Sequence, residues 1–194
     1  MKLVQARDLA LVWSDELQPY CARLAIAGSI RRGKSEVHDI EIVCVPNMVP
    51  EQIGLFTGVD FPDEPAPKIS AMNAALEMNE RGWEFNLLKN GDRLKQMALP
   101  QGINLELYVV LPPAQFGCIY AIRTGPAEYS HWLVSPKRYG GGMPFHLRQR
   151  DGSLWNGATQ IETPEEEDYF RALGLAWCEP YNRFPPAGWK PRKK

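Results

Sequence analysis

Two acids, Asp39 and Glu41, stand one residue apart at the head of the apolar run Ile42-Val43-Cys44-Val45. Side chains alternate faces along a strand, so the spacing predicts both carboxylates on one face while Ile40 and Ile42 enter a core. Carboxylates held this close repel, and one takes up a proton unless a cation sits between them; oxygen donors of this kind suit Mg²⁺. Upstream, Gly28 and Ser29 supply backbone N–H groups and a hydroxyl, and Arg31, Arg32 and Lys34 add positive charge. That combination suits a polyphosphate. A cation site and a phosphate site are thus written into one short stretch.

The elements that must position these residues follow from periodicity. The apolar run Leu24-Ala25-Ile26-Ala27 stops at Gly28 and reads as a first strand, and the acidic pair opens a second. In the run from 103 to 110, Ile103, Leu105, Leu107 and Val109 share one face of a third strand, which leaves Glu106 on the other, where it can join Asp39 and Glu41. Residues 3 to 17 carry Leu3, Ala6, Leu9, Ala10, Trp13 and Leu17 at helical spacing, and Pro19 ends that helix. Ile69, Met72, Ala75, Leu76 and Met78 predict a second helix over 68–81, stopped by Gly82. A hairpin over 83–99 turns at Asn90-Gly91, and another over 145–155 turns at Asp151-Gly152. A short helix over 114–122 follows Pro112-Pro113. The last helix has Thr163 as its cap, Pro164 in its first turn, capping-box spacing between Thr163 and Glu166, and Gly174 at its end. Residues 46 to 67, with five prolines, read as a loop-rich insertion without chemistry.

Composition narrows the partners. The 194 residues hold 44% hydrophobic and 23% charged side chains, as in an ordinary globular chain, and a net charge of -1 means any nucleic-acid contact must be a local patch. One candidate is Lys137-Arg138-Tyr139 with Tyr129, His131 and Trp132 beside Gly140-Gly141-Gly142, which reads either as a surface for bases and phosphates or as a helix and a mobile loop. Another is the basic tail of Lys190, Arg192, Lys193 and Lys194. Cys21, Cys44, Cys118 and Cys178 are widely spaced and read as reduced core residues; with three histidines off ligand spacing, a zinc site is not expected. No apolar run approaches a membrane span and no signal-peptide core follows Met1, so the expected location is the cytoplasm.

The stretch Gly28-Ser29-Ile30-Arg31-Arg32-Gly33 followed by Asp39 and Glu41 resembles the nucleotidyltransferase signature of the DNA polymerase X family, the relatives of DNA polymerase beta. In that family a Gly-Ser-x-Arg-Arg-Gly loop leads into an Asp-x-Asp pair. Here the loop is intact, Glu41 replaces the second aspartate, and His38 stands where a glycine is usual. Leu173-Gly174-Leu175 followed by Pro180-x-x-Arg183 resembles the family's closing motif, so the likeness covers most of the chain.

The resemblance implies an α/β palm with a mixed sheet over residues 1–112 and a small mixed thumb over 113–194. It implies attack of a nucleic-acid 3′-hydroxyl on a nucleoside triphosphate with two Mg²⁺ ions, for which Mn²⁺ can substitute. Asp39 and Glu41 would hold both ions and Glu106, in the position of the third carboxylate, one of them. Gly28, Ser29 and Arg32 would bind the phosphates. Thr124 and Gly125 match the family's turn beneath the nucleotide, and the resemblance makes Gly125–Pro126 a cis peptide. Ile122 and Arg123 replace the aromatic pair that precedes that turn; Arg123, Lys137 and Arg138 are candidate nucleic-acid contacts. The expected partners are a nucleoside triphosphate and, with modest affinity, a DNA primer end including a gapped one, with no membrane; the chain is expected to act as a monomer. The residues also admit a nucleotidyltransferase acting on a small molecule, a protein or an RNA end, and an inactive nucleic-acid-binding module.

Overall fold

The chain is represented by a computed structural model that describes residues 1–50, 68–78 and 82–191. Its class is mixed α and β, as expected: among these residues a five-stranded mixed sheet and a three-stranded antiparallel sheet are packed with six α-helices.

Helix α1 (Leu3–Leu17) forms where the periodicity places it, with Ala6, Ala10, Trp13 and Leu17 buried. A single turn of 3₁₀ helix through Pro19 delivers the chain into β1 (Cys21–Ile26). A one-turn helix, α2 (Gly28–Arg31), separates it from β2 (Asp39–Pro46). Strands β3 (Met48–Pro50) and β4 (Lys68–Ser70) pair as a small separate ladder, and α3 (Ala71–Met78) follows. The helix expected over 68–81 therefore starts three residues later, because residues 68–70 are taken into that ladder; 79–81 lie outside the described residues, as do 51–67 of the loop-rich segment and 192–194 of the tail. The hairpin of β5 (Asn86–Asn90) and β6 (Leu94–Ala98) leads into β7 (Asn104–Val109).

The large sheet has the order β1-β2-β7-β6-β5. Its central pair, β2 and β7, is parallel, whereas its other pairs are antiparallel. One face buries Ile40, Ile42, Leu105 and Leu107, each fully covered, against α1 and α3. The opposite face is covered only in part. Val43, Tyr108 and Val110 meet Phe116 there, on helix α4 (Phe116–Thr124), and the carboxylate end of the face lies beyond that cluster.

Helix α4 is a shared wall, since its Cys118 and Ala121 belong to the second core with α5 (Ala127–Val134), β8 (Leu147–Arg150), β9 (Ser153–Asn156), β10 (Thr159–Ile161) and α6 (Glu166–Ala172). Gly117 makes its approach to the start of α6 possible: a Cβ there would stand 2.0 Å from the Glu165 carbonyl oxygen. The α6 cap differs from the expected one. Thr163 gives its N–H and hydroxyl to Gln115 Oε1, so the helix begins two residues later, with Glu165 and Asp168 as the reciprocal capping pair. Gly174 ends the helix with φ of 68°.

All four cysteines are free, three of them buried. No helix among the described residues is long and apolar enough to cross a membrane.

Candidate active site

Parallel pairing of β2 with β7 sets Asp39 beside Asn104 and Glu41 beside Glu106. Neighbouring strands lie about 4.8 Å apart and alternate residues about 6.6 Å, so the three carboxylates share one patch of one sheet face. Antiparallel pairing of β6 adds Gln96 opposite Glu106. Gln96 Nε2 donates to Glu106 Oε1 at 2.7 Å, and the Tyr108 hydroxyl donates to Glu106 Oε2. Both residues could have been found from the sequence: Tyr108 is two positions along the strand from Glu106, and Gln96 follows from the tight turn between the last two strands.

Burial first and carboxylate crowding second set the electrostatics. Burial, followed by the charge of Asp39, pushes the Glu41 carboxyl up to about 7, against the pull of Arg32. Burial and then Glu106 raise Asp39, while His38 and Arg32 pull it down. Among the described residues no group of three or more His, Cys, Asp or Glu side chains is arranged so that it could hold a metal ion. Asp39, Glu41 and Glu106 nonetheless supply the oxygen donors that suit a hard cation, and burial, followed by carboxylate repulsion, disfavours the ionised form of Asp39 and Glu41.

The loop of α2 packs directly on this patch. Ala27 N donates to the Glu41 carbonyl at 2.8 Å, and Gly28, at φ 59°, lies beneath the Glu41 carboxylate. A Cβ on Gly28 would stand 1.7 Å from Glu41 Oε2. Gly28→Ala is expected to lower stability by about 1–2 kcal/mol from the left-handed backbone alone, with a further loss from expelling the carboxylate. That second part should vanish when Glu41→Ala is added. Thermal melts of the three variants measure it, and strictly additive losses would contradict the packing described.

The loop arginines divide their work. Arg31 gives two parallel bonds of 2.8 Å to Glu166, donates to Thr124 Oγ1 at 2.7 Å and stacks 3.9 Å above Tyr120. Its charge is spent on α6, not on a phosphate. Arg32 donates to the Thr124 carbonyl at 2.6 Å, and its Nε is buried without a partner. Burial lowers the Arg32 pKa, opposed by Glu41 and Asp39. Ser29 Oγ is likewise buried and unpartnered; with Arg32 Nε and Asn73 Oδ1 it makes up the set of such atoms among the described residues. An orphaned buried polar atom costs about 1–3 kcal/mol, and two of the three sit in this one loop.

Several expected residues are placed differently. Thr124 is fully buried and both its oxygens accept from the arginines, so it clamps the loop to α4 instead of facing open space. Gly125 is buried, and a Cβ there would stand 2.8 Å from Tyr129. Gly125–Pro126 is trans; the cis bond among the described residues is Pro112–Pro113. The trans form feeds Pro126 directly into α5, where its carbonyl accepts from Ser130 N at 2.9 Å. Arg123 is exposed and lies 4.0 Å over the Tyr108 ring, at the edge of the carboxylate patch. Lys137 and Arg138 are exposed on a 3₁₀ turn after α5. Tyr129 is core and stacks with Trp132, whose Nε1 donates to Gly140, while Gly142 N bonds the Trp132 carbonyl. The glycine run is thus a packed turn, and the Tyr129 ring is buried in the core while Trp132 is half-buried.

In the sequence Glu166 has a capping-box spacing from Thr163 and no role beyond the start of the last helix. Glu166 is in fact 3% exposed and accepts from Arg31, from Arg183 Nη1 at 2.7 Å and from Trp177 Nε1 at 2.9 Å. Arg183 also donates from Nε and Nη2 to the Cys178 carbonyl. The arginine of the closing stretch is thereby tied, through one glutamate, to the loop under the carboxylates. No protein-family model matches the chain, and no curated protein matches it.

Proposed function

We propose that the protein is a metal-dependent nucleotidyltransferase of the DNA polymerase beta-like kind, joining a nucleotide from a nucleoside triphosphate to a nucleic-acid 3′-hydroxyl. The observation that carries the reading is the packing of the Gly28-Ser29 turn onto Glu41, with Ser29 Oγ and Arg32 Nε unpartnered beside a three-carboxylate face. Each half alone is ordinary. Together they set a hydroxyl and a guanidinium Nε without partners next to three grouped carboxylates, an arrangement that suits an Mg²⁺-triphosphate.

Asp39, Glu41 and Glu106 are the residues that would hold Mg²⁺, with Mn²⁺ able to replace it. When bound, the ions supply Lewis-acid activation of the hydroxyl and neutralise the leaving pyrophosphate. Ser29 and Arg32 hold the outer phosphates. Gln96 and Tyr108 orient Glu106 by donating to its two oxygens; Glu106 would take the hydroxyl proton, and Arg123 at the rim would meet the nucleic-acid backbone. Glu41 in place of an aspartate reaches one methylene further, and Gly28 gives that longer side chain its room.

Incubation of the purified protein with Mg²⁺, each labelled triphosphate and primed, gapped or single-stranded DNA tests the reading. Extension of the DNA is the expected result; labelling of an RNA end, a protein or a small molecule, or no incorporation, would replace it. Arg32→Ala is expected to raise the triphosphate KM with a smaller change in kcat, since its partner is phosphate in both ground and transition states. An unchanged KM would remove Arg32 from the phosphate site.

A further inference from the structure

Beside β8 and the C-terminal end of α6 lies a cavity of about 430 Å³, lined by Lys137, Phe145, His146, Arg171, Leu173 and Gly174 among others. Its volume falls within the range of about 300–1,000 Å³ usual for small-molecule sites. Phe145 is 78% exposed, the highest value among the exposed large hydrophobic residues described. The ring is nonetheless carried on fixed backbone: Leu147 N donates to the Pro144 carbonyl at 3.1 Å, and Arg148 Nη1 donates to the Phe145 carbonyl at 2.8 Å. The His146 ring meets it edge-on, with centroids 5.3 Å apart.

The charged side chains that line the cavity are cationic. Lys137, His146 and Arg171 line the cavity, and no aspartate or glutamate is among the described residues that do. Arg171 also bonds Asp168 through Nη1 at 2.6 Å, an exposed pairing made through one of its five donors. A solvent-facing phenyl on a fixed turn, flanked by cations, is the arrangement on which unpaired bases stack while phosphates are neutralised. A duplex hides the faces of its bases, so the ring selects a single strand.

We propose that this cavity binds single-stranded nucleic acid, one base stacking on Phe145 and the adjoining phosphates meeting Lys137 and Arg171. The inference rests on the proposed transferase reading only in making this strand part of the acceptor. Of the two cations of the 3₁₀ turn, Lys137 is the one that lines the site; Arg138 lies against Tyr139.

Fluorescence anisotropy with a labelled 12-nucleotide oligothymidine, without metal or triphosphate, tests it. Phe145→Ala should weaken binding about tenfold, within the range measured for base–aromatic stacking, and Phe145→Trp should retain it. Melting temperatures of both should match the parent, because the ring is exposed. Lys137→Glu and Arg171→Glu should each flatten the dependence of log affinity on log salt by about 0.7. Equal affinity in Phe145→Ala, preference for a duplex of the same length, or tighter binding of polyglutamate than of the oligonucleotide would each overturn the proposal. Since no triphosphate is present, a failed extension assay leaves this result standing, and loss of Phe145 dependence leaves the transferase reading standing.

Discussion

Asp39→Ala is expected to reduce nucleotidyl transfer by at least about 10²- to 10³-fold, the scale on which removal of one preorganised electrostatic group acts, without lowering the melting temperature. The first half follows from its place in the carboxylate patch, where it would help to hold the ions that activate the hydroxyl. The second follows from the sign of its pKa shift. Burial and Glu106 raise the Asp39 carboxyl above its ordinary value, so the fold disfavours the ionised form. At neutral pH the ionised side chain therefore costs stability, and alanine removes that cost. Glu41→Gln should behave alike, because its carboxyl is raised to about 7 and glutamine fills the same space without charge. Loss of activity with an equal or higher melting temperature separates a functional carboxylate from a structural one. A variant that melts lower and retains transfer would sink the assignment.

Glu166→Ala is expected to give the largest loss of stability, about 3–5 kcal/mol, because it strips the partner from a buried cation. Arg183 is 1% exposed and Arg31 is partly buried, and both donate to Glu166. For a domain of this size that corresponds to a fall in melting temperature of roughly 10 °C. Burial alone would raise the Glu166 carboxyl; the bonds and charges of Arg183 and Arg31 outweigh it and hold the carboxyl near 2. A carboxyl depressed in the folded state stabilises it fully above the ordinary glutamate value of 4.5, and that contribution is lost as pH falls toward 2. Melts from pH 7 to pH 2 should show the parent losing an acid-sensitive component that Glu166→Gln lacks. Parallel curves for the two, or an unchanged melting temperature in Glu166→Ala, would contradict the account. Since Glu166 also holds Arg31, its loss is expected to loosen the loop that carries Ser29 and Arg32.

The sequence alone determined whatever depends on short-range period. Alternation placed Asp39 and Glu41 on one strand face and Glu106 on the polar face of another, because strand geometry repeats every two residues whatever lies around it. Helix α1, both hairpins and the class of the fold followed from the same local rules. The exchange of partners between distant residues was decided only in three dimensions. Arg31 and Arg32 are neighbours of one type, yet one is taken by a glutamate 135 positions away and the other keeps an unpartnered nitrogen beside the carboxylates. Thr163 looked like a helix cap until Gln115 claimed it, and Thr124, matched by resemblance to a turn beneath a nucleotide, accepts from both arginines instead. Hydrogen bonds and ion pairs are won by whichever group the tertiary packing brings within about 3 Å, and no spacing in the chain encodes that competition.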